Sequence, residues 1–275
     1  PADNIEKVEL ITNPSAKFDA ASSGGIINVV LKKNKRVGLN GIITASVGAP
    51  KIANGNLNLN LRQGKFNIFL TGGYNQSGGK ARSETRRENK SGGSTTGYFN
   101  QYSTNDRLRR FQSIRFGTDY FIDNRNTLSI TQDFGKGRFS NEEMQSQAYL
   151  ESDQSPLYYG SRLAEGRSTF NRNSTRLSYK HSFPQTGREL TADITYNRGR
   201  NEENSFIENL FLNPAGAEYK PATMVRNEGS GNSRQLTFQA DYVHPLGEDI
   251  NFEAGIRSFH NDSRRFFNAF AVDNT

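Results

Sequence analysis

Histidine is the side chain best suited to hold zinc or move a proton near neutral pH, and this chain has three: His181, His244 and His260. No two stand at ligand spacing, and with no cysteine to supply a thiolate no metal site is expected. Carboxylate pairs occur at Glu142-Glu143 and Glu202-Glu203. A glycosidase needs two carboxylates held across the scissile bond by a rigid scaffold. Adjacent glutamates within long polar stretches read instead as solvated charge, so no catalytic residue, enzymatic activity or cofactor is assigned. Basic residues cluster more heavily: Lys80, Arg82, Arg86, Arg87 and Lys90, then Arg107, Arg109 and Arg110, with Tyr98, Phe99 and Tyr102 between them. Cations interleaved with rings suit a single-stranded nucleic acid. They equally suit another phosphate-bearing ligand, or a solvated rim with no ligand at all.

The elements that carry these residues decide among the readings. From Gly38 onward apolar and polar residues alternate with a period of two, which indicates strands with distinct faces. In the run 56–62, Leu57, Leu59 and Leu61 point one way and Asn56, Asn58, Asn60 and Arg62 the other. The same alternation starts near Leu39, Phe66, Ile114, Leu128, Leu177, Leu190, Leu236 and Ile250. It thus defines nine expected strands of about ten residues, the length a tilted strand needs to cross a bilayer.

Composition agrees with such a fold. Of the 275 residues, 33% are hydrophobic yet 11% are aromatic, and the mean hydropathy is -0.77. Poor apolar content suggests disorder, but the aromatic content argues against it. A membrane β-barrel reconciles the two, because only alternate residues face lipid and the interior is polar. A transmembrane helix is excluded, since no run of about 18 apolar residues exists. The net charge of +7 allows nucleic acid, anionic lipid or lipopolysaccharide as partners.

The connections alternate in length. Short ones built from Gly, Pro, Asn and Asp fall at 62–65, 123–126, 184–188 and 245–249, as turns require. Between them lie long polar stretches at 77–109, 135–169 and 199–232, which are expected to be extracellular loops opposite short periplasmic turns. On this reading Lys80, Arg82, Arg86, Arg87, Arg107, Arg109 and Arg110 lie in the first long loop, as candidate contacts to lipopolysaccharide or a ligand, and nucleic acid is not the expected partner. His181 and His244 fall in phase with the lipid-facing residues near the periplasmic side, where an amphipathic ring can sit at the interface.

The first 36 residues differ. Pro14 fixes its own φ and biases Asn13 away from helix, so a strand should stop there. Gly24 and Gly25 permit sharp re-entry, and Ile26, Ile27, Val29, Val30 and Leu31 read as a strand buried on both faces. Ile5-Glu6-Lys7-Val8-Glu9, then Asn13-Pro14-Ser15-Ala16-Lys17-Phe18, then Gly24-Gly25-Ile26-Ile27-Asn28-Val29 resemble the end of the plug domain in TonB-dependent outer-membrane receptors, in the form common in Bacteroidetes-type bacteria. The resemblance covers about thirty residues, a length at which several elements recur in order. It implies a plug segment over 1–36, whose structural motif is Asn13, Pro14, Ser15, Ala16, Gly24, Gly25, Ile26, Ile27 and Asn28, and the N-terminal portion of a barrel over 37–275.

The fold expected is therefore all-β: a partial antiparallel transmembrane β-barrel of nine up-and-down strands, preceded by the strand–loop–strand end of a plug. A chain that opens on Pro1 without a signal peptide is expected to be an internal piece of a longer polypeptide. By resemblance, the whole protein resides in the bacterial outer membrane and imports a scarce nutrient such as a metal chelate, a vitamin or a glycan product. Energy would come through a TonB-type partner, whose contact segment is not in this sequence. Two other readings stay open. One is a non-transporting barrel acting as adhesin or assembly platform; the other is a soluble, basic all-β binding module.

Overall fold

The computed structural model describes residues 5–11, 26–31, 37–247 and 250–272. Among them are eleven strands and no helix. β1 (Ile5–Ile11) and β2 (Ile26–Leu31) form a two-stranded antiparallel sheet. The remaining strands are β3 (Gly38–Gly48), β4 (Ile52–Gln63), β5 (Phe66–Ser91), β6 (Ser94–Phe121), β7 (Asn126–Leu150), β8 (Pro156–Ser182), β9 (Glu189–Leu212), β10 (Glu218–Pro245) and β11 (Asn251–Val272). They form one nine-stranded sheet in which each strand pairs with its neighbours in sequence, every pairing being antiparallel. The nine strands read from period-two hydropathy are these nine.

Their lengths differ from expectation. The stretches 77–109, 135–169 and 199–232, expected as long loops, run largely as strand: β5 and β6 stay in register from Phe66↔Tyr120 to Ser91↔Ser94. The reason is physical. Beyond a membrane both faces of a hairpin meet water, so the alternation of apolar and polar residues stops while backbone pairing continues. The first of these hairpins closes on Gly92 and Gly93, with φ of 58° and 84°. Left-handed φ at both central residues is what a two-residue hairpin turn of type I′ needs.

Neither face of the large sheet is covered by a second layer among the described residues. Among the described residues no hydrophobic side chain is buried, and Val47, Ile43 and Ile256 are 88%, 75% and 65% exposed. Register places apolar side chains of successive strands side by side: Leu39, Leu61 and Ile68, then Ile130, Leu177, Ile194 and Phe238 occupy one hydrogen-bonded row. A sheet without a second layer cannot bury this face in protein; lipid can.

The apolar band also crosses the sheet obliquely. Its last apolar residue before the hairpins is Tyr74 on β5, followed by Gln76, and Tyr196 on β9, followed by Arg198. Gln76 is in register with Arg110, Arg138, Thr169 and Glu202. The boundary therefore moves four residues toward the short turns in crossing from β5 to β9. At about 3.3 Å per residue and about 4.8 Å between strands this is an inclination of roughly 35°, the tilt of strands in a membrane barrel.

Of the plug-like motif, Asn13, Pro14, Ser15, Ala16, Gly24 and Gly25 lie outside the described residues, while Ile26, Ile27 and Asn28 lie in β2. Ile27, expected to be buried, is 69% exposed, because among the described residues β2 has β1 as its one partner.

Candidate functional site on the polar face and its hairpins

The face opposite the apolar band is hydrophilic because the same period-two alternation puts Asn, Thr, Ser and charged residues there. One row runs Thr71, Arg115, Asp133, Ser174, Asn197, Gln235 and Asn261. Oppositely charged side chains find each other across strands. Arg115 pairs with Asp133 and Lys180 with Glu189, and Arg176 reaches Asp193 at 2.8 Å. Nearer the turns, Asp119 accepts hydrogen bonds from Asn67 Nδ2 at 2.9 Å and Ser129 Oγ at 2.6 Å. A hollow of about 740 Å³ lies on this face between Thr71, Arg115, Asp133, Arg172, Asn197 and Gln235. Its charged side chains on this face are Arg115 and Arg172 with one carboxylate, Asp133, among amides and hydroxyls, which suits a polar occupant held by many hydrogen bonds.

Farther along the hairpins the same face carries rings. Phe99 meets Tyr149 at 4.9 Å between centroids, Tyr149 stacks on Tyr158 at 4.2 Å, and Tyr158 stacks on Tyr219 at 4.5 Å. Phe99 and Tyr149 are directly opposite in register, as are Tyr149 and Tyr158. Cations flank the ladder, with Arg87 5.1 Å from the Phe99 ring and Lys220 5.2 Å from the Tyr158 ring. Burial among these rings pushes the Tyr158 hydroxyl pKa up. The ladder ties four hairpin strands together with ring faces already used on one another. Each strand contributes a single ring among polar neighbours, so no period in the sequence announces the ladder.

At the other end of the sheet the apolar face ends in amphipathic rings. Phe66 stacks on Tyr120 at 4.9 Å, Tyr179 Oη donates to Asn126 Oδ1 at 2.6 Å, and His181 Nδ1 lies 2.7 Å from the same oxygen. Arg188 Nε donates to Tyr242 Oη at 2.8 Å, and His244 lies 6.0 Å from the Tyr242 ring. His181 and His244 thus sit beside the short turns in phase with the apolar face, where rings of this kind mark a membrane–water boundary. One of these turns is capped by an acid. Asp123 accepts from the backbone N–H of Arg125 and Asn126, which lowers its pKa.

The basic cluster is dispersed by the strands. Lys80, Arg82, Arg86 and Arg110 share the face of the apolar band, whereas Arg87, Arg107 and Arg109 share the polar face. Arg86 is neutralised by Glu84 at 2.6 Å. The carboxylate pairs are likewise divided, since neighbours along a strand point to opposite faces; Glu142 and Glu143 lie in β7, Glu202 and Glu203 in β9. His260 lies within β11 opposite Leu236. No group of three or more metal-ligating side chains converges among the described residues.

Residues 181–275, from the end of β8 through β11, match the model of the outer membrane protein beta-barrel family. No curated protein matches the chain. The family match and the uncovered apolar face support the same coarse reading, an outer-membrane β-barrel of the bacterial envelope.

Proposed function

We propose that the chain is part of a TonB-dependent outer-membrane receptor that takes up a scarce nutrient across the outer membrane. The observation that carries this reading is the plug-like motif ahead of the sheet, from Ile5-Glu6-Lys7-Val8-Glu9 through Gly25-Ile26-Ile27-Asn28, with barrel strands beginning at Gly38. The short turns face the periplasm and the long hairpins the medium. The polar face lines the lumen, and its mixed charges are where a plug and a polar nutrient make their hydrogen bonds. None of these residues is assigned a catalytic step.

The strand count supports a larger barrel. In an up-and-down sheet of nine strands the edges β3 and β11 run in the same direction, so they cannot pair antiparallel with each other. Their lengths also disagree, 11 residues against 22. Closure calls for further antiparallel strands, and a plug-bearing transporter barrel has about 22 in all.

The test is uptake in the native bacterium. Strains lacking the full-length protein, or lacking the TonB-type partner, are grown with a limiting panel of metal chelates, vitamins and oligosaccharides. Loss of uptake of one nutrient in both strains is the expected result. Uptake unchanged across the panel, together with loss of surface adhesion or of an assembled partner, assigns the barrel to the adhesin or platform role instead.

A further inference from the structure

Just past the apolar band, on its own face, cations recur, directly on β7, β9 and β10 and one position beyond Gln112 on β6. They are Arg110 on β6, Lys136 and Arg138 on β7, Arg198 and Arg200 on β9, and Arg234 on β10. Register puts Arg110 directly opposite Arg138 and Arg198 directly opposite Arg234. Like charges directly opposite on one face of a sheet repel, so a protein that uses two such pairs needs anions between them.

Its own acids do not supply them. Arg200 is paired with Glu202 at 2.6 Å. Asp262 is in register with Arg234 but makes its ion pair with Arg264, at 3.7 Å. Arg110 Nε donates to the neutral Gln76 at 2.9 Å, and Arg138, Arg198 and Arg234 are exposed with no acidic partner among the described residues. Farther out on the same face, acids return in strength, with Asp106 held by Lys51 at 2.8 Å and Glu228 by Arg226 at 3.2 Å. The excess of positive charge is confined to the two or three rows that adjoin the lipid-facing band.

We infer that Arg110 with Arg138, and Arg198 with Arg234, form two clamps for the phosphate groups of a phosphorylated glycolipid in the outer leaflet, whose acyl chains lie along the apolar band beneath. Position selects a lipid over a soluble anion: the clamps continue the apolar face, so one molecule can satisfy both. Chemistry selects phosphate, because the planar guanidinium fork matches its oxygens in a bidentate fashion. The oblique course of the band has a consequence here. Arg198 and Arg234 lie nearer the short turns along their strands than Arg110 and Arg138 do, yet the tilt brings both clamps to one depth in the membrane.

This inference rests on the outer-membrane reading but not on nutrient transport. Its test is native mass spectrometry of the full-length protein in detergent, titrated with bisphosphorylated lipid A, with enzymatically dephosphorylated lipid A, and with inorganic phosphate. The wild-type protein should retain the bisphosphorylated lipid and release the dephosphorylated one. Arg198→Gln/Arg234→Gln and Arg110→Gln/Arg138→Gln each remove two guanidiniums and should each weaken retention at least about tenfold, the loss expected for a single charge-assisted hydrogen bond, while Lys80→Gln/Arg82→Gln, farther up the hairpin on the same face, should not. Equal retention of the two lipids, unchanged retention in both arginine variants, or inorganic phosphate bound as tightly as the lipid overturns the proposal. Recovery of each variant in the outer-membrane fraction is scored on the same samples. Failure of the clamps in an assembled barrel is thereby distinct from failure of the membrane reading, and the wild-type lipid comparison stands even if a variant does not fold.

Discussion

Asn58 and Leu59 are neighbours in sequence with opposite surroundings, since Leu59 aligns with Leu70 and Asn58 with Thr71. Leu59→Arg places a charge near mid-bilayer, at a cost of roughly 2–4 kcal/mol, and should reduce assembly into the outer membrane; Asn58→Arg should assemble nearly as wild type. Equal recovery of the two in outer-membrane fractions would contradict the facing assigned to β4. The ion pairs of the polar face behave differently. The Arg115 and Asp133 side chains are 59% and 31% exposed, so solvent screens them and Arg115→Ala should change stability by less than about 1 kcal/mol in denaturant titrations. A third expectation concerns pH. Hydrogen bonds from Arg125 and Asn126 hold the Asp123 carboxyl below its ordinary pKa. A depressed acid contributes stability above its unfolded pKa and loses it as pH falls through the folded one. The turn at 122–125 should therefore stay protected through mildly acidic pH and loosen only below the usual aspartate range, read from exchange of the Arg125 and Asn126 amides. Asp123→Asn should remove that pH dependence; persistence of it in the variant assigns the titration elsewhere.

The strands show why some elements were legible in the sequence and others were not. Where one side of a strand meets lipid and the other water, as in Leu57-Asn58-Leu59-Asn60-Leu61, period two is imposed on side chains and the strand can be read directly. In the hairpins, water on both sides removes that constraint, so Lys80, Arg82, Glu84 and Arg86 read as loop although they lie in β5. Two local signals remained. Ser91-Gly92-Gly93-Ser94 is a two-residue hairpin turn in a run read as loop, and Phe99, Tyr149 and Tyr158 share one face at positions that only register brings together. The aromatic ladder is what stiffens the hairpins. Tyr158→Ala removes its stacks on Tyr149 and Tyr219, each worth about 0.5–1.5 kcal/mol beyond area. Hydrogen exchange should rise near the tips at 151–155 and 213–217 and stay unchanged in the apolar band. Equal acceleration in both regions would mean that the hairpins and the band unfold as one unit.

At the scale of the whole molecule, three independent features converge on one arrangement. No hydrophobic side chain is buried among the described residues, amphipathic rings end the apolar face at the short turns, and the boundary of that face is inclined by the tilt of a membrane barrel. A soluble all-β module would cover this face with a second layer. The basic cluster, contiguous in sequence within one expected loop, is divided between two faces, because residue spacing reports neighbours along a strand and register alone reports neighbours across it. The central claim is that the sheet crosses the outer membrane with its apolar face in lipid. The chain has no cysteine, so single cysteines are placed at Leu128, Ser129, Ile130 and Thr131 of β7 in the full-length protein, in native outer membranes, with the protein lacking these substitutions as the labelling reference. A small water-soluble thiol reagent should label the cysteines at 129 and 131 and spare those at 128 and 130. Labelling of all four alike, or recovery of the protein in the soluble fraction, would contradict the account.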